Sequence, residues 1–319
     1  MKTLIYHTGA LGDFVTILPA LSIWKSQHPD ARLTYLGKKA HGDLGRAAGY
    51  FGDALDIDRS IFASLFSNSL SMELSALLST FDSAIAFTAH DSPVANHLGR
   101  HYSTLLSQPP FPGSQQHVVD YHMSLFPSWE QEKTARIPRV RISANSAIDR
   151  AAIRPTAVIQ PGSGSSIKNW PIERFAEVSL SLDRAGCDVL WVMGPAEEDR
   201  RPPSGISEIR NQSLPDVCRV LELAAIFIGN DSGMSHLAAA CGCACVVLFG
   251  PSDAAIWRPL GNSVRIISAI APCSPCHGVS AAIHHCEAPC MNQISAATVL
   301  REAFDILRIR PINSPEGEL

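Results

Sequence analysis

Residues 226–250, IFIGNDSGMSHLAAACGCACVVLFG, constrain the fold more than any other stretch of the chain. Ile226, Phe227 and Ile228 form a β-rich run that stops at Gly229 and Asn230. Asp231, Ser232 and Gly233 then open a helix with Met234, Ser235, His236 and Leu237 in its first turns. The stretch reads as strand, tight loop, short helix, strand. Asp231 or Ser232 can cap the helix, whose N-terminus presents backbone N–H groups and a positive dipole end suited to a phosphate or carboxylate. The same letters also serve ordinary capping, with His236 as a surface or core histidine, and the stretch alone leaves both readings open. A hydrolase reading fares worse. The run Gly233–Leu237 lacks the second glycine of a nucleophile elbow, and adjacent helical residues diverge, so His236 is badly placed as a base for Ser235.

With 319 residues, two domains of about 150 residues each are expected. A hydrophobic fraction of 46% against 18% charged residues supplies ample core material for a globular protein. A net charge of −4 argues against nucleic acid as a partner, and the local basic run Lys38, Lys39, His41 and Arg46 reads as a solvated surface. The N-terminus meets His7 and Asp13 before any signal-peptide core develops, and no apolar run reaches about 18 residues, so a cytoplasmic location is expected. Nine cysteines, an odd number, do not form a secreted disulfide framework; Cys187, Cys218, Cys241, Cys243 and Cys245 fall in apolar elements as small core residues.

Taken in order, Lys2–Tyr6 is a predicted buried strand. The loop His7-Thr8-Gly9-Ala10-Leu11-Gly12-Asp13 follows, then a helix to about His28 in which Pro19 predicts a kink or early break. A second strand, Arg32–Leu36, completes a βαβ spacing. Only Gly9 and Gly12 remain of a dinucleotide fingerprint, and Gly37-Lys38-Lys39 stand where an acidic residue would hold a ribose, so a nicotinamide cofactor is disfavoured. Between Asp43 and Ser79 the pattern is helical and uneven, Ser83–Thr88 is another strand, and the proline-rich Gln108–Gln116 is a loop. Periodicity fades after Pro127, which puts a boundary near Ala144–Arg154 and divides the chain into domains of residues 1–150 and 151–319. A second series follows: strand Ala157–Gln160, loop Pro161–Pro171, helix Ile172–Ala185, strand Asp188–Met193, and a helix from Ser213 to about Ala224. Beyond the central stretch lie a strand at Val264–Ile267 and an amphipathic helix, Ser295–Ile309, able to cross back to the first domain.

The loop PGSGSSIK, residues 161–168, has the composition of a phosphate cradle but is not a Walker A loop, and a flexible surface loop is its plain alternative. Context decides between them. The loops Gly162–Lys168, Gly194–Glu198 and Asn230–His236 each leave the carboxyl end of a predicted parallel strand, and in a doubly wound sheet those ends share the ligand-binding edge. One loop brings a lysine, one brings carboxylates and one a helix N-terminus, the set that a nucleotide diphosphate uses.

These loops, with the opening His7–Asp13, the GPAEE turn and NDSGMSHLAAACG…FGPSD, resemble glycosyltransferase family 9, the bacterial heptosyltransferases of lipopolysaccharide core assembly. The likeness implies a GT-B fold, an α/β architecture of two Rossmann-like doubly wound domains facing a central cleft, with acceptor on the first and nucleotide sugar on the second. It implies an inverting transfer without a catalytic metal or other cofactor. The donor would be ADP-heptose and the acceptor a lipid-linked oligosaccharide at the cytoplasmic face of the inner membrane. By motif position, Asp13 matches the acceptor-activating base. Ser163, Gly164, Lys168, Asp231, Ser232, Gly233, Met234, Ser235, His236 and one of Glu197 and Glu198 match the donor site. Gly9, Gly12, Lys38 and Lys39 fall on the acceptor side. A non-catalytic nucleotide-sugar-binding protein of the same fold is the alternative, against which Asp13 counts. Outside the donor site, Cys273-x2-Cys276-x9-Cys286-x3-Cys290, beside His277, His284 and His285, leaves two readings open: a structural zinc and a reduced or partly oxidised cysteine loop.

Overall fold

A computed structural model describes residues 1–113, 115–142, 154–276 and 289–309. The chain divides into two compact units, Met1–Ile142 with Ser213–Pro215, and Ser143–Gln212 with Asp216–Leu319. The stretch expected to hold the boundary, residues 144–154, lies almost wholly outside the described residues.

The first unit runs β1 (Lys2–His7), α1 (Leu11–Gln27), β2 (Arg32–Gly37), α2 (Lys39–Ala47), β3 (Asp53–Asp56), α3 (Met72–Leu78), β4 (Ser83–Phe87), α4 (Pro93–His101), β5 (Leu105–Gln108) and α5 (Val118–Met123). Its sheet has the order β3-β2-β1-β4-β5 with every pairing parallel. β1 and β4 are central and buried on both faces, which is why they read as unbroken apolar runs. α1 continues through Pro19 without the expected break. Phe14, Val15, Ile17, Leu18 and Leu21 are all buried on this helix, and that packing outweighs the one backbone bond that proline removes. The uneven Asp43–Ser79 segment contains the edge strand β3, with sequence DALD, which pairs with β2 in the register Thr34↔Asp53. Gln108, expected to open a loop, closes β5.

The second unit runs β6 (Thr156–Gln160), α6 (Ile172–Arg184), β7 (Asp188–Met193), β8 (Ser207–Arg210), α7 (Leu214–Leu223), β9 (Ile226–Asn230), α8 (Gly233–Ala240), β10 (Cys245–Phe249), α9 (Ala254–Trp257), β11 (Val264–Ser268) and α10 (Ala296–Leu307). Its sheet has the order β11-β10-β9-β6-β7-β8, again all parallel. β8 escaped the sequence reading because SEIR has almost no apolar content and is held by its pairing with β7. α6 buries Phe175, Val178 and Leu182 and closes on Gly186, whose φ of +91° only glycine adopts without strain. The core centres on Trp170, Phe175 and Trp191, with edge-on ring pairs at 4.9 and 6.5 Å. α10 packs against α6, with Val299 and Ala303 fully buried in the second unit's core.

Both sheets reverse their winding once. In the first the chain leaves β1 outward to β2 and β3 and returns at β4. In the second it leaves β6 toward β7 and β8 and returns at β9. The crevices beyond the carboxyl ends of β1 and β4, and of β6 and β9, are therefore the topological switch points at which such sheets bind ligands.

Candidate active site

At the second switch point two buried amides organise the loops. Asn230 ends β9; its Nδ2 donates to the Pro161 carbonyl at 2.9 Å and its Oδ1 accepts the Trp170 N–H at 3.0 Å, so both ends of the 161–171 loop are tied to β9. Gln160 ends β6; its Nε2 donates to Glu197 Oε1 at 2.8 Å and its Oε1 accepts the Ser232 hydroxyl at 3.2 Å. The second Glu197 oxygen accepts the Gly194 N–H at 2.7 Å. A Cβ on Gly162 would stand 1.6 Å from Glu197 Oε1, so only glycine lets the loop pass over this carboxylate. A buried network with its members satisfied in this way is rigid.

On that scaffold Lys168 Nζ donates to Asp231 Oδ2 at 2.7 Å, with the aspartate buried and the lysine one-third exposed. The ammonium has two further N–H groups. α8 begins immediately after Asp231: Ser232 Oγ accepts the Ser235 N–H at 3.4 Å as its cap, and the N–H groups of Gly233 and Met234, in the first turn, have no intrahelical acceptor. Lysine, helix dipole and first-turn amides gather positive potential and free N–H groups at one edge, chemistry that suits an anion, with Asp231 paired to the lysine it holds.

The remaining residues expected at the donor site divide by environment. Ser235 is buried, and its hydroxyl donates to the Asn230 carbonyl at 2.6 Å; His236 is buried behind it in α8. The Ser163 hydroxyl lies 2.7 Å from the Ser165 carbonyl and 2.8 Å from Asn169 Oδ1, inside the loop. Gly164 is exposed, with open space where a side chain would be. Of the two glutamates, Glu197 belongs to the buried network and Glu198 is exposed.

At the first switch point Asp13 is the third residue of α1, half-buried, and its Oδ2 accepts the Ala10 N–H at 2.9 Å. It reaches back to the cap position rather than occupying it. A Cβ on Gly9 would lie 2.8 Å from His7 Nε2 and 2.9 Å from Asp13 Oδ2, so a side chain there would displace one or both of them. Gly12 is half-buried beside Asp13. Lys38 occupies the N-cap position of α2 directly beyond β2, without a side-chain cap bond, while Lys39 pairs with Asp43 at 2.5 Å on the exposed face of that helix.

A histidine cluster was missed in the sequence. His41, read as part of a solvated basic patch, is buried and stacked on Phe14 at 5.0 Å. Burial, reinforced by Lys38, lowers its pKa to about 4. Burial takes His7 to about 3, with His41, His122 and Lys38 adding to the effect, and takes His122 to about 3. All three are neutral at pH 7. They come from β1, α2 and α5, and no local spacing reveals that they meet. Gln160 and Asn230 left a fainter signal, a polar residue closing each of two otherwise apolar strands.

Of the cysteine motif, Cys286 and the adjacent His277, His284 and His285 lie outside the described residues. Cys273 is exposed, Cys276 half-buried and Cys290 buried, with Cys290 Sγ 3.0 Å from the Cβ position of Gly250. Among the described residues no three His, Cys, Asp or Glu side chains gather as a metal site.

Residues 72–286 match the family model described as glycosyltransferase family 9 (heptosyltransferase). Lipopolysaccharide heptosyltransferase 3 of Escherichia coli (strain K12) is 30% identical over 119 residues, 34% of each chain, so the chain spans about a third of that relative's length. Two solved structures share the fold. The glycosyltransferase family 9 structure from Veillonella parvula superposes with a TM-score of 0.78 at 16% identity, covering 96% of this chain and 97% of the other. The E. coli ADP-heptose lipopolysaccharide heptosyltransferase II does so with a TM-score of 0.75 at 16% identity, covering 97% and 99%. The fold is that of the GT-B class, two Rossmann-like α/β units.

Proposed function

Because the chain belongs to glycosyltransferase family 9, we propose that it is an inverting glycosyltransferase moving heptose from ADP-heptose to an acceptor of the lipopolysaccharide-core type. The observation that carries this reading is a division of labour between two switch points: an anion site of Lys168, Asp231 and the start of α8 in one unit, and the Asp13 carboxylate in the other. In the reaction Asp13 takes the proton from an acceptor hydroxyl. That oxygen attacks the anomeric carbon from the face opposite the nucleotide, the bond to the diphosphate breaks, and the configuration inverts. Negative charge growing on the departing diphosphate is met by Lys168 and the amides of Gly233 and Met234, whose positions are fixed before the substrate arrives.

The choice of donor is supported by the name of E. coli heptosyltransferase II, which has this fold. A lipid-linked acceptor brings the protein to the inner membrane peripherally, at its cytoplasmic face; among the described residues no helix is long and apolar enough to cross a membrane. The test is a melting-temperature panel of ADP-, UDP-, GDP- and dTDP-linked sugars, followed by transfer to core oligosaccharide. Selective stabilisation by ADP-heptose is expected, since a ligand that binds only the folded state raises its stability by mass action. Stabilisation by another nucleotide alone would replace the donor. Donor binding without transfer would return the protein to a binding role.

A further inference from the structure

His7 ends β1 with its backbone fixed on three sides. It pairs in register with Gly37 and Phe87, and its carbonyl accepts the Tyr35 hydroxyl at 2.8 Å. Its ring is 1% exposed and lies among Phe14, Phe87 and His41, with centroids 6.1, 6.2 and 6.4 Å away. Neither ring nitrogen has a hydrogen-bond partner among the described residues. Burying two unsatisfied nitrogens in an aromatic nest destabilises a fold, and an apolar side chain would fit the same place without that cost. The nitrogen Nε2 and Asp13 Oδ2 both lie beside Gly9, 2.8 and 2.9 Å from the place its Cβ would take.

We propose that His7 is a positioning residue for Asp13: with acceptor bound, the Nε2–H of the neutral imidazole donates to the Asp13 carboxylate and fixes its orientation for proton abstraction. This rests on the reading of Asp13 as the base. Ala10 N–H already holds one carboxylate oxygen, and a second donor leaves a single rotamer. A side chain at position 9 would crowd both groups, so glycine there leaves them room to approach. The titratable groups facing His7 are His41 and Lys38 near α2, His122 on α5 and Asp13 on α1. Burial holds His7, His41 and His122 neutral at pH 7.

His7→Phe keeps an aromatic ring and removes both nitrogens, whereas His7→Gln replaces Nε2 with an amide donor. For His7→Phe, kcat should fall about ten- to a hundredfold with the donor KM unchanged. The acid limb of its pH–rate profile should move to higher pH, because a carboxylate that loses a donor binds its proton more tightly. His7→Gln should recover most of the turnover, and His7→Phe added to Asp13→Asn should cost nothing further. Wild-type turnover and an unmoved acid limb in His7→Phe, with Asp13→Asn inactive, would overturn the positioning role alone. An active Asp13→Asn would remove the base reading and this inference with it. If His7→Phe does not fold, His7→Leu and His7→Gln carry the same comparison, and equal activity in these two would also overturn it.

Discussion

Gly162→Ala tests the buried network that shapes the proposed donor edge. All three atoms nearest the new methyl belong to Glu197, at 1.6, 2.4 and 2.7 Å, so the loop or the glutamate must move. Glu197 is anchored by Gln160 Nε2 at 2.8 Å and Gly194 N–H at 2.7 Å, and its displacement breaks two charge-assisted hydrogen bonds in a buried site. Such bonds contribute about 1.5–3 kcal/mol each, and allowing for partial relaxation the variant should lose about 2–4 kcal/mol. Urea unfolding followed through the buried Trp170 and Trp191, both in this unit's core, reads that loss directly. ADP affinity measured by calorimetry should fall as well, because freed Gln160 no longer holds Ser232 and the α8 cap loosens. In a Glu197→Ala background the obstructing side chain is gone, so adding Gly162→Ala should cost less than about 1 kcal/mol. A Gly162→Ala protein with wild-type urea midpoint and ADP affinity would refute the reasoning, as would equal costs in the two backgrounds.

Asp13→Asn keeps an oxygen for the Ala10 N–H and removes the proposed base, so near-native melting with transfer reduced at least about a hundredfold is expected in a sugar-transfer assay. Lys168→Ala should weaken ADP binding by about ten- to a hundredfold in the same calorimetry, and unchanged affinity would take Lys168 out of the site. His7, His41 and His122 have folded pKa values of about 3, 4 and 3, below the unfolded value near 6.5, so they favour the folded state fully above pH 6.5. As pH falls below 6.5 the unfolded chain protonates first, and each histidine should remove up to about 1.4 kcal/mol per pH unit until its folded pKa is reached; the melting temperature should fall from pH 7 to 4 accordingly, and His7→Phe should make that fall shallower. If the cysteine motif holds zinc, metal analysis of protein purified under reducing conditions should find about one ion per chain, and a chelator should lower the melting temperature; metal-free protein would leave the cysteine loop as the remaining reading.

The stretch from Ile226 to Gly250 was legible because strand, cap and helix there are each dictated locally. An apolar β-run, an Asp-Ser-Gly break and a helical run need no partner to be recognised, and the structure has β9, α8 and β10 in that order. The same holds for the strands after which the proposed donor loops fall, and for Gly186, whose conformation follows from its lack of a side chain. What tertiary structure decided is of another kind. β3 and β8 carry little apolar signal and exist because a neighbouring strand offers its free edge. Pro19 stays inside α1 because packing around the helix outweighs a local preference. Lys168 and Asp231, 63 residues apart, meet only because β6 and β9 are neighbours in the sheet, and which glutamate enters the network was decided by the reach of Gln160. The histidine cluster is the extreme case: three side chains from separate elements become neutral and buried through a shared environment, and an environment is a property of the assembled fold, which residue type and spacing along the chain do not encode.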